Sequence, residues 1–140
     1  MKKWLSIFFL GAVITSCSFE QKDPYLIIQR PLQTNTQVSI RSIKAFGDST
    51  VWATGNSGTI LKSFDAGENW EVLTIPGHES YDFRDLQLFG KKKAIVMAIG
   101  SPAKIFRTNN GGKSWWRTYF NEDPAIFLDG MTFLNDTIGI

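Results

Sequence analysis

Three groups of side chains in this 140-residue sequence have types and spacings that could do chemistry. The first is Gly112-Lys113-Ser114, which matches the end of a phosphate loop. That loop, G-x-x-x-x-G-K-[ST], cradles phosphates with backbone N–H groups and needs a glycine five positions before Gly112. Arg107 stands there instead. A phosphate loop also opens a helix, whereas the following Ser114-Trp115-Trp116-Arg117-Thr118-Tyr119-Phe120 is β-branched and aromatic and suits a strand. Both departures argue against a nucleotide site. The second group is Glu79, Tyr81 and Asp82, with His78, in "GHESYDF", where carboxylate, phenol and imidazole in one loop could serve acid–base work. The plainer expectation is a solvated connection. The third is Arg41 and Arg84, each five residues before a phenylalanine, Phe46 and Phe89. Two arginines at one repeated position could bind an anion or an acidic partner segment, unless acids such as Asp85 or Asp129 pair with them.

Metal and cofactor chemistry find no support in the residue types. His78 is the only histidine and Cys17 the only cysteine, so no spacing of metal ligands exists. No dinucleotide glycine fingerprint follows a strand, which removes the case for an oxidoreductase. The expectation is no metal and no cofactor.

The N-terminal stretch "MKKWLSIFFLGAVITSC" has the build of a secretory signal: Lys2 and Lys3, a short apolar run, then small residues. It is too short to span a bilayer as a helix. Ile14-Thr15-Ser16-Cys17 resembles the lipobox of bacterial lipoproteins. The resemblance implies removal of residues 1–16, lipidation of the Cys17 sulfur, and a protein held by lipid at a bacterial cell envelope. Loss of Lys2 and Lys3 from the 15 Lys and Arg residues leaves 13, which balances the 13 Asp and Glu. A near-neutral chain offers no electrostatic reason to bind nucleic acid. Residues 17–37, with two prolines and many polar groups, read as a spacer with a possible short strand at Tyr25 to Gln29.

The elements that must position any site come from a repeat. Offset by 45 residues, "VWATGNSGTILKSFDAGENW" aligns without a gap on "VMAIGSPAKIFRTNNGGKSW". Val51, Ala53, Gly55, Ile60, Gly67 and Trp70 meet identical residues at Val96, Ala98, Gly100, Ile105, Gly112 and Trp115. The preceding hydrophobic segments end in Phe46, Phe89 and, in a third partial copy, Phe133. Each copy divides into four short strands, in the first about 38–46, 50–55, 59–64 and 69–75, separated by glycine-rich or polar turns. Four strands per repeat of this length predict an all-β fold, a β-propeller of four-stranded antiparallel blades across residues 38–140.

The repeated turn fits [ST]-x-[DN]-x-G-x-x-W, with Ser63, Asp65, Gly67 and Trp70 in one copy and Thr108, Asn110, Gly112 and Trp115 in the other. Asp65 or Asn110 can accept N–H bonds within its own turn, with Ser63 or Thr108 assisting. Gly67 and Gly112 supply the positive φ of a tight hairpin. The tryptophans pack a large ring beneath it. This motif specifies a turn, and no atom in it is placed for catalysis.

These turns resemble Asp-boxes, also called BNR repeats, found in sialidases and in many non-enzymatic propellers. Asn110 stands where such boxes usually have Asp, which weakens the turn slightly and keeps an amide acceptor. With "FRDLQLF" ahead of the box, the chain is similar to lipoprotein propellers of the photosystem II assembly and stability factor type. The resemblance implies a binding or assembly scaffold that recognises a protein or glycan, with Arg41 and Arg84 facing a central channel. It also implies a rival, a sialidase-like glycoside hydrolase whose acids lie in further blades. The Arg-Ile-Pro signature of sialidases is absent, since Arg30-Pro31 lacks the middle residue. A propeller closes with about four to eight blades, and two and a half are encoded here. The expectation is therefore an N-terminal portion of a longer protein.

Overall fold

The computed structural model describes residues 30, 31 and 33–140. The expected signal, Cys17 and the expected short strand at Tyr25 to Gln29 lie outside them. Residues 31–140 form one compact unit. Eight strands and no helix occur among the described residues.

Strands β1 (Ile40–Phe46), β2 (Thr50–Gly55), β3 (Ile60–Ser63) and β4 (Glu71–Leu73) form one antiparallel sheet in chain order. Strands β5 (Phe83–Leu88), β6 (Ala94–Ala98), β7 (Ala103–Thr108) and β8 (Trp116–Asn121) form a second with the same topology. The expected boundaries of the first four strands hold within two residues at each end.

The two sheets also share the irregularity of their first strand pair. A register shift falls between Ile40 and Ser42 in β1 and between Phe83 and Asp85 in β5. Leu61 pairs with Val72 as Phe106 pairs with Arg117, so the outer strands keep the 45-residue offset as far as a register shift between Ile105 and Phe106 that the first sheet lacks. The inner strands do not. Ile40 pairs with Gly55 and Phe83 with Ala98, so Gly55 corresponds to Ala98 and not to Gly100. The matches of Val51, Ala53 and Gly55 to Val96, Ala98 and Gly100 are therefore corrected by two residues. The two extra residues lie in the turn between β6 and β7, beyond Ala98, while the hairpin between β5 and β6 keeps the register of its counterpart. The third copy begins a further hairpin, with Phe133 bridged to Gly139 and Thr132 exchanging two backbone hydrogen bonds with Ile140.

Trp52 and Ile60 of the first sheet join Phe83, Leu86, Val96 and Phe106 of the second in one shared core. Trp52, Ile60, Phe83 and Leu86 have no exposed surface. Each such side chain contributes about 1.5–3 kcal/mol by leaving water, so the joint between sheets is a principal source of stability. Strand β6, "AIVMA", is buried along its whole length and reads as a continuous apolar run for that reason. Four-stranded antiparallel sheets packed on one another in chain order are the blades of a β-propeller.

Candidate functional site

The repeated turn follows β3 and β7. In the first copy Ser63 Oγ donates to Asp65 Oδ1 at 2.7 Å and accepts the N–H groups of Asp65 and Gly67 at 3.3 and 2.9 Å. Asp65 Oδ1 accepts the N–H of Asn69 at 2.9 Å, and Oδ2 accepts Asn69 Nδ2 at 2.8 Å. In the second copy Thr108 Oγ1 donates to Asn110 Oδ1 at 3.0 Å and accepts the N–H groups of Asn110 and Gly112 at 3.4 and 3.0 Å. Asn110 Oδ1 then accepts the N–H of Ser114 at 3.0 Å. The networks correspond bond for bond except in the last side-chain contact. There Asn69 donates to a carboxylate, while Ser114 Oγ accepts from Asn110 Nδ2 at 2.7 Å. The exchange of Asp for Asn is thus matched by an exchange of its partner.

The N–H and amide donors of Asn69, with the Ser63 hydroxyl, hold the Asp65 carboxyl down at about 2. Ala66 has φ 59° where its counterpart Gly111 has φ 77°. Gly112 has φ 83°, which favours glycine, and a Cβ there would stand 2.5 Å from Leu73 Cδ1 in the neighbouring blade, so that side chain would have to shift. The tryptophans stand immediately before β4 and β8. Trp115 packs edge-on against Trp52 with ring centres 6.3 Å apart. The indole nitrogens of Trp70 and Trp115 are both buried without a hydrogen-bond partner among the described residues.

Arg41 and Arg84 lie on β1 and β5, the first strands of their blades, which pack along one another. Arg41 Nε lies 3.1 Å from each oxygen of Asp82, and Nη2 donates to Oδ2 at 2.7 Å. This fork raises the Arg41 pKa above its ordinary value, through the hydrogen bonds first and then the charge of Asp82. Arg84 Nε donates to Asp129 Oδ1 at 2.9 Å, and its side chain is 40% exposed. Its two terminal nitrogens have no partner among the described residues. Each arginine therefore reaches from its own blade to an acid of the next. Asp85 pairs with neither. It accepts Ser42 Oγ at 2.9 Å, its neighbour Leu86 N at 2.8 Å and Met131 N at 3.0 Å, joining three successive repeats.

The acid–base group in "GHESYDF" is spread among structural partners. Asp82 holds Arg41. Tyr81 Oη meets Lys104 Nζ. Glu79 accepts the N–H of Gly77 at 3.0 Å, and bonds from its own N–H and from Gly77 lower its pKa. His78 Nδ1 bonds the Pro76 carbonyl at 3.0 Å, and the ring packs against Phe106 at 4.6 Å.

Two further linking residues are not apparent in the sequence. Lys62, only 7% exposed, donates to the Gly111 carbonyl at 2.8 Å and pairs with Glu71 Oε2 at 2.8 Å. Its counterpart Arg107 donates to the Asp136 carbonyl at 2.9 Å. The Lys62/Arg107 match in the aligned copies was the available signal, but its target is set by how blades stack. Among the described residues no group of three His, Cys, Asp or Glu is placed to hold a metal.

Comparison with known proteins agrees with this geometry. A solved structure described as YCF48 bound to D1 peptide aligns with a TM-score of 0.54 at 24% identity, covering 66% of this chain and 29% of that one. The uncharacterized protein YCR101C of Saccharomyces cerevisiae is 31% identical over 77 residues, 55% of this chain and 41% of that protein. The chain thus spans well under half the length of either. The family model for photosynthesis system II assembly factor YCF48 matches residues 21–125, most of the chain. With its paired blades and duplicated turns, the chain belongs to the YCF48 family of BNR-type β-propeller proteins.

Proposed function

We propose that this chain serves as a non-catalytic binding or assembly scaffold, recognising a protein or glycan partner through the inner strands of its blades. The observation that carries this reading is the placement of Arg41 and Arg84. They occupy one position on the adjacent first strands of their blades, anchored by Asp82 and Asp129, with the terminal nitrogens of Arg84 unpartnered among the described residues. An arginine held by one carboxylate and open on its other side is pre-organised for an acidic group. The inter-blade bonds of Asp85, Lys62 and Arg107 make the platform beneath it rigid. The similar solved structure is of a protein bound to a D1 peptide, which supports a protein segment over a glycan as the partner.

In this reading residues 1–16 are a cleaved signal, Cys17 carries the lipid, residues 17–37 are a tether and residues 38–140 form the blades. The protein sits at a bacterial cell envelope, where two or more acyl chains hold it firmly. The test of the function pairs two assays on the full chain. Envelope proteins that co-purify with it should be lost on Arg41→Glu with Arg84→Glu. Sialosides and plant polysaccharides should pass unchanged, and turnover of either would favour a glycoside hydrolase instead.

A further inference from the structure

The two blades follow one template, so a residue the template does not require stands out against its counterpart. Three such residues cluster on one face of the second blade. Lys104 replaces Thr59, Lys113 replaces Glu68 and Arg117 replaces Val72. The first blade builds the same strands and turn without these cations, so folding does not call for them. None of the three pairs with a carboxylate among the described residues. Lys104 Nζ instead lies over Tyr81, 4.5 Å from the ring centre, and 5.6 Å from that of Phe120. Arg117 Cζ sits 4.2 Å from the centre of Phe120.

Beside them a cleft of about 700 Å³ opens between the chain following β4 and the outer part of the second blade. Ile75, Pro76 and His78 line one side, and Phe106, Trp115 and Arg117 the other, with Lys113 at the turn. Both walls lie between Thr74 and Arg117, so the cleft does not depend on the third repeat.

The strand bordering this cleft is an edge. β8 ends its sheet, and no strand pairs with its outer side among the described residues. Outermost strands remain free even when blades close into a ring, and proteins usually blunt them with short length or charge. β4 is blunted by its length, three residues. β8 has six residues, "WRTYFN", with one register shift beside Thr118, and its side chains are largely exposed. A long aromatic edge with cations alongside is suited to pairing with an extended chain of opposite charge.

We propose that an extended acidic peptide segment of a partner protein adds to the outer edge of β8. Its carboxylates meet Lys113, Arg117 and Lys104, and its apolar side chains enter the cleft against Pro76, Phe106 and Trp115. This rests on the partner being a protein, but it concerns a surface separate from Arg41 and Arg84. Main-chain bonds along β8 supply affinity, and the cations supply sign selectivity and a dependence on salt.

The test uses the full chain and a short fluorescein-labelled peptide alternating glutamate with valine, read by anisotropy. Binding is expected to weaken with salt and to fall roughly tenfold or more in K113E/R117E. R41E/R84E should bind this probe as the unaltered chain does, even if it loses the partners of the inner strands. Because the charge-reversed variant could misfold, a peptide N-methylated at alternate residues is offered to the unaltered protein. It should not bind, since it cannot pair with an edge. Equal binding of the N-methylated peptide, of a lysine–valine peptide or of polygalacturonate would overturn the proposal, as would binding undiminished in K113E/R117E.

Discussion

Lys62 Nζ, on the first blade, donates to the main-chain carbonyl of Gly111, inside the repeated turn of the second, at 2.8 Å. A buried ammonium spanning two blades needs acceptors on both sides, and Glu71 completes the set. Lys62→Met should remove a charge-assisted bond and leave the Gly111 carbonyl short of a partner. The expected loss is about 1–3 kcal/mol, measured by urea denaturation. Glu71 is 60% exposed, so the carboxylate left behind stays hydrated and the cost remains below that of stranding a buried charge.

Ala66 and Gly111 make a matched pair of opposite sign. Ala66 holds a left-handed conformation at φ 59°, which costs an L-residue roughly 1–2 kcal/mol. Ala66→Gly should relieve that strain, offset by the greater freedom of unfolded glycine, and raise the thermal midpoint slightly. Gly111→Ala should lower it. An added Cβ at Gly111 meets nothing closer than Lys92 Cγ at 3.7 Å, so its cost is conformational. A rise in midpoint for both variants would contradict this.

Much of the fold was legible because Gly67, Trp70, Gly112 and Trp115 mark the same turn twice and set the outer strands in step. The inner strands were less so. Val51 and Val96 match by identity, yet pairing with β1 and β5 is governed by the hairpins after Phe46 and Phe89, which place β6 two residues earlier. The site was less legible still. Asp82 and Asp85 are three residues apart, and only the packed blades show that Asp82 takes Arg41 while Asp85 takes Ser42 and the Met131 N–H. Asn110 reads as a weakened Asp65 in sequence, whereas in space Ser114 accepts its amide. The cations Lys104, Lys113 and Arg117 are scattered in sequence and meet only through the β7–β8 pairing and the loop from Thr74 to Tyr81.

The partner exchange between the two turns yields a double substitution. Asp65→Asn alone sets two amide donors against one another, the introduced side chain and that of Asn69, and should lower the thermal midpoint. Adding Asn69→Ser copies the second turn and should recover most of the loss. No recovery would show that the two turns are not interchangeable.

Asp65 also governs acid behaviour. Its folded pKa, about 2, lies below its ordinary value of roughly 3.9. The unfolded chain therefore takes up this proton first. The stability from Asp65 is fully present above about pH 4 and is lost as pH falls through about 2. The Asp65→Asn/Asn69→Ser protein should show a flatter decline over that window in a pH series of thermal melts. An unchanged slope would remove Asp65 from the account.

Lipid attachment at Cys17 makes a separate prediction. In bacterial cells the unaltered chain should partition into Triton X-114, and Cys17→Ser should move it to the aqueous phase. Detergent partitioning of the Cys17→Ser protein would contradict the anchor.

In the proposed function Arg41 and Arg84, on the first strands of their blades, receive a partner. The most direct measurement is quantitative mass spectrometry of envelope proteins cross-linked to the full chain, comparing unaltered protein with Arg41→Glu/Arg84→Glu after matching their thermal midpoints. At least one protein should be strongly depleted in the variant, with its cross-links mapping near β1 and β5. An identical set of partners in both samples would contradict the account.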